Sequence, residues 1–137
     1  MAFSSVHEMI DLCKESGKPL YEVILESDLA ESGLTRAESE AEMHRLWAVM
    51  QATSDGYCGA DRSMSGFAGG DAAKVNAAAA RGVLYADGYF ADVMAEALKT
   101  AECNACMKRI VAAPTAGSCG VLPAVLLPLA RAGQADE

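Results

Sequence analysis

The chain has 137 residues, a length that supports one domain with a real core but not two. Its apolar fraction of 52% is ordinary for a globular protein, and a net charge of −8 without clustered basic residues argues against nucleic acid as a partner. No apolar run approaches the roughly 20 residues a membrane helix needs, and Met1 to Ser5 carries no basic region followed by an apolar one, so neither a membrane span nor a signal peptide is expected.

Ser5-Val6-His7-Glu8 reads as a capping box opening a helix. Val6, Met9, Ile10 and Cys13 then repeat at helical spacing, and Gly17 stops the helix. Pro19 opens a second helix with Leu20, Val23, Ile24 and Leu25 on its inner side, ended by Gly33. Thr35-Arg36-Ala37-Glu38 is a second capping box, starting a helix that fades near Ser54, with Met43, Leu46, Trp47 and Met50 as its stripe. The stretch from Ser54 to Gly70 is a loop rich in Gly, Ser and Asp, a length often tied to function. Asp71 is the natural N-cap of an alanine-rich helix reaching Arg81, with Gly82 as the stop. A further helix runs from about Tyr89 to Cys106, with Phe90, Val93, Met94, Ala97 and Leu98 inward, and Ile110 to Ala113 reads as briefly extended. The last helix spans about Pro123 to Arg131, with a kink expected at Pro128. No period-two strand pattern appears, so the fold class is all-α. Val121 to Leu129 is strongly apolar and lies close to the end of the chain. It either docks on earlier helices or belongs to a fold larger than this chain.

Two segments carry the chemical signal. Ala113-Pro114-Thr115-Ala116-Gly117-Ser118-Cys119-Gly120-Val121-Leu122-Pro123 sets glycines, prolines and hydroxyls between apolar flanks, which no plain helix or strand accommodates. Ser65-Gly66-Phe67-Ala68-Gly69-Gly70-Asp71-Ala72-Ala73-Lys74 has the same design and ends in a lysine. Free backbone N–H groups at a helix start bind anions, so the pair suggests a site for a small anionic metabolite. Lys74 then serves as charge partner or base, against the simpler reading of a lysine facing water. Thr115 and Ser118 serve either as substrate ligands or as helix caps.

The five cysteines are odd in number and form no disulfide framework, which fits a reducing cytoplasm. Cys103 and Cys106 form a C-x-x-C with Cys119 nearby, but on an alanine-rich helix they read more simply as small buried hydrophobes than as metal ligands. Cys13 and Cys58 look structural or incidental. His7, His44 and the run Glu38, Glu40, Glu42 read as solvated helix faces.

Three stretches together resemble the α chain of the iron–sulfur-dependent L-serine dehydratases: Ser65-Gly66 through Gly69-Gly70-Asp71-Ala72-Ala73-Lys74, then Asn104-Ala105-Cys106-Met107, then Ala113-Pro114-Thr115-Ala116-Gly117-Ser118 with Gly120 and Pro123. The opening Val6-His7-Glu8-Met9-Ile10 fits the same start. The resemblance implies an all-α domain and a lyase that takes water from L-serine to give pyruvate and ammonia, using a 4Fe-4S cluster in place of pyridoxal phosphate. It implies substrate contacts from Ser65, Gly66, Gly70, Asp71, Thr115, Ala116, Gly117 and Ser118, and a catalytic role for Lys74. Family α chains are longer, and their cluster cysteines follow the Pro-Thr-x-Gly segment in a region this chain does not contain. Cys103, Cys106 and Cys119 therefore inherit no ligand role, and no metal ligand is expected here. The family also implies a β chain or β domain and the C-terminal half of the α chain as partners, and an oligomer. The expectation is an N-terminal portion of the α chain, inactive in isolation. A desulfidase-like relative acting on cysteine and a non-catalytic helical assembly module are the alternatives.

Overall fold

The computed structural model describes residues 3–84 and 88–133. Among the described residues it holds six α-helices, one short 3-10 helix and no strand: α1 (Val6–Ser16), α2 (Leu20–Ser32), α3 (Arg36–Asp55), α4 (Asp71–Ala80), α5 (Gly88–Ala105), the 3-10 turn Ala116–Ser118, and α6 (Val121–Arg131). The all-α expectation holds. Residues up to Arg45 form one compact unit and residues from Leu46 onward another.

In the first unit α1 packs on α2. Ser5 Oγ accepts the Glu8 N–H at 3.2 Å, but the Glu8 carboxylate turns to Ser4, whose N–H and hydroxyl donate to it at 2.8 and 2.7 Å. The capping box is therefore shifted by one residue on its returning arm. At Thr35 it is complete, with Glu38 N–H donating to Thr35 Oγ1 and Thr35 N–H to Glu38. Gly17 and Gly33 end α1 and α2 in the left-handed region, as read. The inner side proposed for α2 is only partly inside: Val23 is buried, while Leu20 and Ile24 are exposed. Arg36 holds Glu22 at 2.6 Å and Glu40 at 2.8 Å. In such an exposed pair the gain is small.

In the second unit α5 packs against both α4 and α6. Its buried face is Ala91, Ala95, Glu96, Thr100, Glu102 and Cys103. Phe90 and Met94, expected inward, are exposed, and Val93, Ala97 and Leu98 are half-buried. Close approach of the helices explains the shift. Ala72, Ala91, Ala95 and Ala124 are almost fully buried, and small residues at a contact bring backbones together and leave larger side chains at the margins. Gly120 belongs to this pattern, since a Cβ there would lie 2.7 Å from the carbonyl oxygen of Ala97. Leu127 and Pro123 are the largest apolar side chains wholly enclosed.

Glu96 ties three helices together. Its Oε1 accepts from Lys99 at 2.6 Å and from Arg131 at 2.6 Å, and Arg131 reaches Ser54 at 3.0 Å. Burial pushes the Glu96 carboxyl up, but Lys99, Ser54 and Arg131 outweigh it and hold the group below the ordinary carboxylate range. Beside it opens a cavity of about 550 Å³, bordered by Asn76, Tyr89, Asp92 and Arg131.

Candidate functional site

The glycine loop between α3 and α4 is shaped by the carboxylate of Glu102. Oε2 accepts the Gly70 N–H at 2.9 Å and the Tyr57 hydroxyl at 2.6 Å. Oε1 accepts the Asp71 N–H at 2.7 Å and the Ala72 N–H at 3.2 Å. Glu102 is buried, and it stands where an anion sits at a helix N-terminus. The N-terminal amides of α4 are thus filled from within the chain. This corrects the reading of Asp71 as N-cap: Gly70 caps the helix, Asp71 is its first residue, and its side chain pairs with Lys74 Nζ at 2.7 Å. The Lys74 hydrogen bond holds the Asp71 carboxyl below its usual range.

Tyr57 completes the clasp. Its oxygen donates to Glu102 and accepts the Ala73 N–H at 3.3 Å. Burial, then the neighbouring carboxylate, pushes the phenol up to about 12 from its ordinary 10.0. A folded-state value raised above the unfolded one means the neutral phenol contributes stability fully below pH 10 and loses it as pH rises through about 12. Tyr57→Phe should therefore narrow its stability deficit against wild type between pH 10 and 12. Urea unfolding midpoints across that range measure it, and a gap that stays constant refutes the clasp.

The second loop hangs from the same end of α5. Asn104 Nδ2 donates to the Ala116 carbonyl at 3.1 Å. The Thr115 and Ser118 hydroxyls face each other at 2.8 Å, and Ser118 N–H donates to the Thr115 carbonyl at 3.1 Å. Both loops named in the sequence are therefore bonded to one helical turn. Ser65, Gly66, Asp71, Lys74, Thr115, Ala116 and Gly117 are exposed, Ser118 is half-buried and Gly70 is buried. The organising residues Glu102 and Tyr57 had no prominence in the sequence. The one signal was a glutamate on the face of α5 that carries Ala95, seven residues earlier.

The cysteines do not gather into a cluster site. All five are free. Cys58, Cys103 and Cys106 border a narrow crevice with Asp61 and Lys108, which pair with each other. Cys103 Sγ lies 3.9 Å from the Thr53 carbonyl oxygen, and burial pushes its thiol up, away from the thiolate a metal needs. Among the described residues no group of three or more His, Cys, Asp or Glu side chains is placed to hold a metal ion. These residues do not fit a 4Fe-4S cluster. No helix among the described residues is long and apolar enough to cross a membrane.

The described residues thus form a helical chain with two glycine loops pinned to one helix end and with hydroxyls and a lysine exposed on them. The serine dehydratase alpha chain family matches residues 15–136. The L-serine dehydratase alpha chain of Peptoniphilus asaccharolyticus is 34% identical over 125 residues, which is 90% of this chain and 43% of that protein. A probable L-serine dehydratase alpha chain of Bacillus subtilis is 32% identical over 124 residues, 90% of this chain and 41% of that one. No solved structure matches. The chain belongs to the serine dehydratase alpha chain family, and it spans less than half the length of these curated relatives.

Proposed function

We propose that this chain is part of an L-serine ammonia-lyase that converts L-serine to pyruvate and ammonia. The observation that carries the reading is the attachment of both glycine loops to the last turn of α5, through Glu102 and Asn104, in a chain of this family. The exposed hydroxyls of Ser65 and Thr115 and the half-buried one of Ser118 contact the polar groups of the amino acid. Lys74 supplies positive charge beside its carboxylate and is the titratable group for proton transfer on that loop. Glu102 already fills the α4 amides, so the substrate carboxylate is met by side chains and by the second loop instead.

The reaction removes the α proton and the β hydroxyl of serine as water, and the resulting enamine tautomerises to an imine that adds water at its carbon and expels ammonia, leaving pyruvate. A 4Fe-4S cluster, when bound in the complete enzyme, would supply Lewis acidity, with its ligands in the remaining α-chain segment. The partners are the family's remaining α-chain segment and a β chain or β domain.

The test separates the chain from the assembly. After anaerobic reconstitution with iron and sulfide, the chain alone should form no pyruvate from L-serine. Supplying the rest of the α chain and the β part should restore it. Turnover by the chain alone, or none by the assembly, defeats the reading.

A further inference from the structure

We infer that Glu102 and Asn104 are positioning residues, and that the last turn of α5 is a spacer fixing the distance and register between the two glycine loops. The inference rests on the dehydratase reading and concerns that same site. Successive helical residues turn by about 100°, so positions two apart point about 200° from one another. Glu102 and Asn104 therefore reach loops on opposite sides of a single turn, and the turn's own width separates them. On one side Glu102 takes the N–H groups of Gly70, Asp71 and Ala72. On the other, Asn104 holds the Ala116 carbonyl. Asn104 lies seven residues after Ala97, on the same face, and Ala97 is where the backbone of Gly120 makes its close approach. That approach anchors the far end of the second loop to the same helix.

Each strut suits its task. A carboxylate accepting three main-chain N–H groups and a phenol fixes a loop more stiffly than neutral bonds do. An amide donating to one carbonyl fixes the register of the other loop without filling its free N–H groups. Neither side chain is needed to touch substrate. Their effect is on how far apart the hydroxyls and Lys74 stand.

Two isosteric changes test this. Glu102→Gln exchanges a carboxylate acceptor for a carboxamide, and Asn104→Asp removes the Nδ2 donor. In the chain itself, Glu102→Gln should shift the amide resonances of Gly70, Asp71 and Ala72 and speed their hydrogen exchange. Asn104→Asp should act on the 116–118 segment instead. In the assembled dehydratase each change should raise KM for L-serine by about tenfold, because one strut that spaces the two loops is lost. A residue that serves only stability would lower the yield of active enzyme and leave KM alone. Unchanged KM in Asn104→Asp, or unmoved amides at 70–72 in Glu102→Gln, overturns the spacer. If Glu102→Gln fails to fold, Asn104→Asp decides by its KM. If the unmodified assembly does not act on L-serine, the dehydratase reading fails separately, and the amide spectra still judge the spacer.

Discussion

Gly69→Ala should destabilise the protein by about 2–5 kcal/mol, whereas Gly66→Ala, three residues earlier, should cost about 1–2 kcal/mol. Both glycines have positive φ, 127° at Gly69 and 76° at Gly66, so both substitutions meet the backbone penalty of an L side chain in that region. The difference is space. A Cβ at Gly66 has nothing within 4 Å, but one at Gly69 would lie 2.2 Å from the Asp61 carbonyl oxygen and 3.2 Å from the Arg62 Cα. Those are backbone atoms, so relief requires the 61–62 segment to move, which would draw Asp61 from its pairing with Lys108. It would also strain Gly70, whose N–H the Glu102 carboxylate holds. Overpacking of this kind typically costs about 1–3 kcal/mol beyond the backbone term. Against a typical total of roughly 5–15 kcal/mol, the alanine at 69 should leave a marginal fold. Urea denaturation of the two variants gives the answer. Equal midpoints for Gly69→Ala and Gly66→Ala would show that the loop is not packed as described.

Helix ends were the most legible part of the sequence, because their signals are local. Ser5, Thr35, Gly17, Gly33 and Gly82 act within a few residues of themselves, and the helices begin and stop beside them. The interior was less legible. Periodicity placed Phe90 and Met94 inside α5, but burial there follows how closely the helices approach, which the alanines on facing elements decide together. The site divides in the same way. Both loops announced themselves by glycine, proline and hydroxyl content. The residue that shapes the first one did not, since Glu102 acts across 32 positions on Gly70 and 45 on Tyr57. A buried carboxylate has meaning only through its partners, and single-sequence reading supplies no partner at that range. Lys74 was conspicuous at the end of its motif, but its pairing with Asp71 three residues earlier was not read from it.

Leu127→Ala should cost about 2–5 kcal/mol, while Leu126→Glu, the adjacent position, should leave folding nearly intact and change association instead. Leu127 is 1% exposed and Leu126 is 39% exposed, so the two neighbours stand on different faces of α6. The inward face, with Pro123, Ala124 and Pro128, is buried in the unit where α6 packs on α5. The apolar segment therefore does dock on an earlier helix, one of the two fates open to it from sequence. Truncating Leu127 removes a filled volume from a close-packed contact, where the surrounding helices relax only in part. The outward face is different. Val121, Leu122, Val125 and Leu126 are all exposed and follow one another at helical spacing, which makes a contiguous apolar strip. Strips of this kind on a water-facing helix mark an interface or an aggregation risk. Light scattering of the chain should show species larger than a monomer, and a glutamate at 126 should shift them towards the monomer. Urea unfolding separates the two mechanisms: a lower midpoint is expected for Leu127→Ala, and a nearly unchanged one for Leu126→Glu. A monodisperse wild-type monomer, indifferent to the added charge, would leave the strip as ordinary surface and remove the reason to seek a partner there.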